Sequence, residues 1–339
     1  MNKFYGYENE IKENKILSVQ INLLNKCMSK CKSCKKYMWP NDVLPIEDVK
    51  NVLRYLKEQG CTSVFFSGGD PIIYPWFIDV IDYCVSINLE YSLITTMITN
   101  NKTLLEKIAK TAYRIHISMD AVDSNLYEYI RGVKGFDIAK DAIDYIVSIR
   151  DKSKIPVRLS STVGVLNYKN VYDIYNFAKK YSCLVNFYYI QLWDGLKIKE
   201  EEEEKFYEQL KLIINDESLC NNCISNAEEL LQKKEEQFEI NECYVPKISA
   251  IINSDGSIYP CCGLFVEFRE KYNDCLKYSY GNIIGKSNEE LEEEFSKRLK
   301  HYPIKCEECN ECLLNNVRYN RVNKNIEEIL SFEKKPLFV

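Results

Sequence analysis

The sequence predicts an α/β fold, a partial barrel of six β/α units followed by a small C-terminal cysteine-rich domain. Two observations point there. Over residues 16–193, short β-branched or aromatic runs alternate with longer amphipathic stretches, which is the rhythm of a parallel sheet with helical crossovers. From Cys243 onward the signal becomes short strands, Asp-Gly and Gly-Asn turns, and cysteines. Eight units would close a full barrel; six leave it open, with the site at the C-terminal ends of the strands.

The strands expected in order are 17–23, 63–67, 91–95, 114–118, 157–163 and 184–190. The helices expected between them are 46–59, 76–88, 103–111, 138–150 and 171–181. Pro45 suits a first helical turn and Gly60 a helix end. Glu200 to Glu204 open a charged helix over 205–214, its acids at the positive end of the helix dipole, and 226–239 reads as another helix. Ser254-Asp255-Gly256-Ser257, between Ile251-Ile252 and Ile258-Tyr259, reads as a hairpin. A last helix is expected over 288–300. The domains are therefore expected as a core at 1–199, a helical bridge at 200–242, the cysteine-rich domain at 243–315 and a tail at 316–339.

The 339 residues are 46% hydrophobic and 28% charged, ordinary values for a folded chain. A net charge of −5 gives no polycationic field for nucleic acid. No apolar run approaches the ~18 residues of a membrane span, and the polar first residues lack a secretory h-region, so a cytoplasmic location is expected. Only two histidines occur, His116 and His301, which excludes a histidine-cluster mechanism. His116 sits in an apolar strand and is expected as a core residue, His301 at the surface. The 25 tyrosines read as a compositional bias. The 15 cysteines, with no signal peptide, point to metal ligation or redox work. Cys61, Cys84 and Cys183 fall in or beside core elements and read as small hydrophobes.

Cys27, Cys31 and Cys34 form C-x3-C-x2-C directly after the first strand. Three thiolates so close in sequence can wrap one metal centre. On a four-iron cubane they would leave one corner open for chemistry; a structural zinc site would need a fourth ligand, and none precedes Cys61. Lys26, Lys30, Lys32, Lys35 and Lys36 either offset an anionic centre or simply form a solvated loop. Ser67-Gly68-Gly69-Asp70-Pro71 ends the second strand, where two glycines let backbone groups approach a ligand. Ser118-Met119-Asp120-Ala121 ends the fourth strand, and Arg131-Gly132 follows.

These motifs, in this order, resemble the radical SAM superfamily. The resemblance implies that Cys27, Cys31 and Cys34 hold a [4Fe–4S] cluster whose fourth iron is chelated by S-adenosyl-L-methionine (SAM). It implies reductive cleavage of SAM to methionine and a 5′-deoxyadenosyl radical that abstracts a substrate hydrogen. Ser67, Gly68, Gly69 and Asp70 would contact the SAM amino group, Ser118 and Asp120 its ribose or methionyl end, and Arg131 its carboxylate. Ser160, Ser161 and Gln191 are further candidates. The family's aromatic residue before the third cysteine is Ser33 here, with Tyr37 and Met38 as nearby replacements.

Cys243-x12-Gly256-x4-Cys261 is followed by Gly281-Asn282-Ile283 and then Cys306-x2-Cys309-x2-Cys312. Alone, the pattern also fits a zinc ribbon. After such a core it resembles the SPASM/twitch extension, in the shorter twitch form. That implies one auxiliary [4Fe–4S] cluster held by Cys243, Cys261 and two of Cys306, Cys309 and Cys312. Cys220-x2-Cys223 would complete a second cluster with Cys262, Cys275 or Cys312, act as a redox pair or hydrogen donor, or be an incidental loop pair. The resemblance implies an oxidoreductase or epimerase supplied by an electron donor such as flavodoxin or ferredoxin. Its substrate would be a ribosomal peptide or protein side chain, or alternatively a small molecule such as a sugar or cyclitol. An electron carrier or zinc-ribbon scaffold is the non-enzymatic alternative; six β/α units and an open-site spacing argue against it.

Overall fold

A computed structural model describes residues 8–34, 36–190, 195–220, 224–232, 245–261 and 278–301. A short helix α1 (Glu8–Lys12) precedes β1 (Ser18–Asn22). Then follow α2 (Ile46–Glu58), β2 (Ser63–Ser67), α3 (Phe77–Ser86), β3 (Glu90–Thr95), α4 (Lys102–Thr111) and β4 (Arg114–Ser118). Two helices, α5 (Ser124–Arg131) and α6 (Phe136–Ile149), lead to β5 (Arg158–Val163), α7 (Val171–Lys180) and β6 (Leu184–Tyr189). Beyond the core come α8 (Glu200–Cys220), α9 (Ala227–Gln232), α10 (Val245–Ile248), β7 (Ser249–Ile252), β8 (Ser257–Tyr259), β9 (Gly281–Asn282) and α11 (Asn288–Ser296). The six β/α units and the hairpin thus stand where the sequence placed them. The class is α/β with a mostly parallel, open sheet, a partial barrel.

The chain divides into two compact units. The first comprises the described residues of Met1–Lys26, Trp39–Tyr91 and Phe238–Val339. Here β1 pairs parallel with β2 on one side and with β7 on the other, Ser18 lying opposite both Ser63 and Ser249. β8 and β9 add antiparallel. The β7–β8 turn closes at Gly256, whose φ of +81° favours glycine. Asn282 braces that turn, donating Nδ2 to the Asp255 carbonyl at 3.0 Å and accepting from the Ile284 amide at 2.8 Å. That is the local work of the Gly-Asn-Ile segment. α11 opens on a capping box, Ser287 with Glu290, and stacks Phe295 on Tyr55 of α2 at 5.4 Å.

The second unit comprises the described residues of Cys27–Met38 and Ser92–Gln237. Its strands run parallel in the order β3, β4, β5, β6. Ile115, Ile117, Leu159, Val185 and Phe187 are fully buried. Tyrosine is part of this core as well: Tyr127, Tyr168 and Tyr175 are almost wholly buried. Tyr168 and Tyr175 donate to Glu202 at 2.6 Å and Asp216 at 2.5 Å on α8, so the residue does structural work beyond compositional bias.

Several elements differ from expectation. α8 is one helix of 21 residues because its acidic opening simply continues into the apolar stripe Phe206, Leu210 and Ile213. α5, absent from the expected set, starts where Asp123 accepts from the Leu126 amide at 2.8 Å. Pro45 stands at the N-cap of α2, in extended conformation, rather than inside the first turn. α9 begins within the helix expected over 226–239; its later part, from 233, lies outside the described residues. His116 is partly exposed and so is not a core residue. No helix among the described residues is long and apolar enough to cross a membrane.

Candidate active site

The second unit brings Cys27, Cys31, Cys34, Asp120 and Arg131 together. The cysteine loop is clamped along the C-terminal end of α5. The Lys30 and Lys32 amides donate to the carbonyls of Arg131 and Ile130, each at 2.9 Å. Gly132 makes this possible: its φ is +65°, and a Cβ there would stand 2.8 Å from the Lys30 carbonyl oxygen. Within the loop the Ser29 amide donates to Cys27 Sγ at 3.4 Å, and the Cys34 amide to the Cys31 carbonyl at 3.0 Å. All three cysteines are partly buried free thiols.

Arg131 is 6% exposed. Its Nη1 meets Asp120 Oδ2 at 2.5 Å, and its Nε is buried without a hydrogen-bond partner. Asp120 Oδ1 accepts from the Thr162 amide at 2.7 Å. Asn167 braces the same corner, donating to the carbonyls of Asp120 at 2.8 Å and Thr162 at 3.0 Å. Burial pushes the Cys31 thiol up to about 12; Arg131 opposes this, while Asp120, Cys34 and Cys27 add to it. Burial opposes the charge on Arg131, yet Cys31 and Asp120 together hold its pKa above the ordinary value. Ser118, at the end of β4, is partly exposed, and Ser161 is fully buried with no partner for its hydroxyl. Gln191 and Lys35 lie outside the described residues.

Ser67, Gly68, Gly69 and Asp70 belong to the first unit. Gly68 has a φ of +121°, and a Cβ on Gly69 would stand 1.9 Å from the Lys26 carbonyl oxygen. The Gly69 and Asp70 amides donate to the carbonyls of Leu24 at 2.7 Å and Lys26 at 3.1 Å. These two donors are therefore committed to main chain rather than left open for a ligand. The glycines let β2 close tightly on the segment that runs directly into Cys27. Asp70 is fully buried and caps the Ile72 amide at 3.4 Å.

Of the second cysteine group, Cys261 is described: it lies just past β8, 9% exposed. Cys243, Cys306, Cys309, Cys312, Cys223, Cys262 and Cys275 lie outside the described residues. Cys220, ending α8, is exposed and 4.0 Å from Lys179 Nζ. Cys61, Cys84 and Cys183 are buried, and burial pushes each thiol up to about 12, as expected of small hydrophobes.

The donor set suits an iron–sulfur cluster. Burial disfavours the Cys31 thiolate, a penalty that a cationic centre shared by the three sulfurs would offset. Among the described residues no three His, Cys, Asp or Glu side chains converge as ligands of a single ion; on a cubane each cysteine binds a different iron. A narrow cleft beside Ser33, lined by Lys32, Ile130, Thr162, Gly164 and Asn167, borders this loop.

The sequence matches the radical SAM superfamily over residues 21–178 and an iron–sulfur cluster-binding (SPASM) domain over 243–313. The chain belongs to the radical SAM superfamily. It is a radical SAM enzyme, and its cofactors are SAM and [4Fe–4S] clusters. It is 22% identical over 273 residues to a protein of Thermococcus kodakarensis named "Probable GTP 3′,8-cyclase", covering 77% of this chain and 85% of that one. Other curated relatives are spanned over 40% to 62% of their length. Among solved structures, SuiB of Streptococcus suis bound to SAM matches with a TM-score of 0.61 at 18% identity, over 80% of this chain and 68% of SuiB. The anSMEcpe structure with SAM and a Cp18Cys peptide matches with a TM-score of 0.62 at 17% identity, over 93% and 96%. At such identities these likenesses show the radical SAM fold. Asn167, Thr162 and the Lys30–Lys32 clamp escaped sequence reading, because their partners lie tens of residues away.

Proposed function

We propose that this radical SAM enzyme abstracts a hydrogen from a side chain of a ribosomal peptide or protein, by way of reductive SAM cleavage. The observation that carries the reading is the cysteine loop, three partly buried thiols clamped to α5 above the buried Arg131–Asp120 pair. Cys27, Cys31 and Cys34 hold the SAM-binding cluster. When bound there, the cluster would supply the one-electron reduction of SAM on which hydrogen abstraction depends. Asp120 fixes Arg131, which is thereby kept charged beside the thiolates; its partnerless Nε remains to meet an anionic group such as the SAM carboxylate. Ser118 presents a hydroxyl from the same strand. Ser67 to Asp70 seat the entry to the loop and carry the SAM amino contact. Cys243, Cys261 and two of Cys306, Cys309 and Cys312 hold an auxiliary cluster, within a domain spanning 243–315 after the 1–199 core and the 200–242 bridge. A cytoplasmic one-electron donor such as flavodoxin or ferredoxin supplies the chain.

Support for a peptide substrate comes from solved relatives that share the fold and contain bound peptides. The Thermococcus relative named for a GTP reaction favours the second reading, a small-molecule substrate. Cys31→Ala tests the chemistry. With SAM and a strong reductant under anaerobic conditions, the wild type should form 5′-deoxyadenosine and the variant none; undiminished product from the variant overturns the assignment.

A further inference from the structure

In the cysteine loop the usual order of burial is reversed. Met28, an apolar residue, stands 38% exposed, while Ser29 beside it is 3% exposed. Burial of apolar surface favours the opposite arrangement, so something other than hydrophobic packing turns Ser29 inward. Its Oγ is buried and has no hydrogen-bond partner. The main chain around it is already engaged. The Ser29 amide donates to Cys27 Sγ at 3.4 Å, and the Lys30, Lys32 and Cys34 amides donate to the carbonyls of Arg131, Ile130 and Cys31.

A buried hydroxyl with no partner is costly, and each one calls for a reason, such as a redox role or a bound group. A serine hydroxyl rotates freely and offers one donor, so the place of the acceptor decides where it points. Loading this loop with an iron–sulfur cluster adds thiolate and sulfide acceptors and no donors. Ser29 already stands against the first of those sulfurs through its own amide.

We infer that the Ser29 hydroxyl donates a hydrogen bond to a sulfur of the cluster held by Cys27, Cys31 and Cys34, and thereby raises the potential at which that cluster is reduced. The inference rests on the proposed role of those cysteines as its ligands. Hydrogen bonds to the sulfurs are among the determinants of an iron–sulfur potential. A donor there favours the reduced state, which carries one more negative charge. Ser29 touches no substrate; it sets how readily an external one-electron donor can charge the site.

The test is an anaerobic redox titration of the reconstituted protein with dithionite, without SAM, followed by electron paramagnetic resonance. The signal component that is absent from Cys31→Ala belongs to this cluster. Ser29→Ala should be about tenfold harder to reduce at a given potential, a shift of about 59 mV to the negative for one electron. Ser29→Thr keeps the hydroxyl and should lie closer to the wild type. If Ser29→Ala does not take up iron, Ser29→Gly replaces it. An unchanged potential would place the hydroxyl on water instead and overturn the inference. So would an equal shift in Ser29→Thr, or failure of both Ser29→Ala and Ser29→Gly to load iron. If Cys31→Ala loses no component of the signal, the proposed ligands fail instead, so the two failures are distinguishable.

Discussion

Gly69 shows how tightly a single residue can be held by packing. Its missing side chain accommodates the Lys26 carbonyl oxygen, 1.9 Å from where a Cβ would stand. Gly69→Ala should therefore lower stability by about 3 kcal/mol or more. Gly195→Ala, with nothing within 4 Å of the added carbon, should stay within about 0.5 kcal/mol. Thermal melts of the two variants check this. The sequence pointed to this turn, though not to the backbone that packs against it. A double glycine looks the same whether ligand or distant backbone fills the space, and Lys26 is 43 positions away. The Arg131–Asp120 pair was equally invisible, since the two residues sit on different elements. Arg131→Met leaves Asp120 buried without its partner and should cost about 3–5 kcal/mol. Asp120→Asn combined with Arg131→Met should cost less than the sum of the two single changes, measured by denaturant unfolding in a double-mutant cycle.

Polar contacts tether α8 to its neighbours. Tyr168 meets Glu202 at 2.6 Å, Tyr189 meets Glu203 at 3.1 Å, and Tyr175 and Lys179 meet Asp216 at 2.5 and 2.7 Å. Lys179 and then Tyr175 hold the Asp216 carboxyl below its usual range, and Asp216 in turn raises Lys179. The depressed carboxyl contributes stability above its unfolded pKa, and this is lost as pH falls through the folded value. The raised ammonium contributes below its unfolded pKa, and this is lost as pH rises through the folded value. Hydrogen exchange of α8 should thus be slowest, relative to α7, at intermediate pH. It should quicken on acidification below the ordinary carboxylate range; exchange that keeps pace with α7 there would count against the tether. The strand and helix order was legible because burial imposes periods of two and 3.6 residues on the sequence. α5 was not, because its eight residues offer barely two turns of pattern and its start rests on a side-chain cap.

At the scale of the whole molecule, the two cysteine groups should each account for one cluster. Reconstituted wild type should carry about eight irons and as many labile sulfides, and Cys31→Ala or Cys261→Ala about four. Iron and sulfide assays check this, and stoichiometric zinc in their place would favour a ribbon scaffold. Cys31→Ala should also spare whatever spectrum belongs to the auxiliary group. What the sequence could not disclose is how the C-terminal hairpin joins the core. Pairing between β1 and β7 spans more than two hundred residues, and no local pattern marks a strand's neighbour.

That pairing has a consequence for anyone trimming the chain. β7 covers the flank of β1 that β2 leaves free. Cutting the chain ahead of residue 243 would strip this cover and bare a row of peptide groups beside the apolar residues Val19 and Ile21. Such a margin invites a second molecule to dock strand against strand, so the shortened protein would be sticky rather than minimal. The β7–β8 hairpin is thus a piece of the core's own wall, inseparable from it in a way that the term accessory domain conceals.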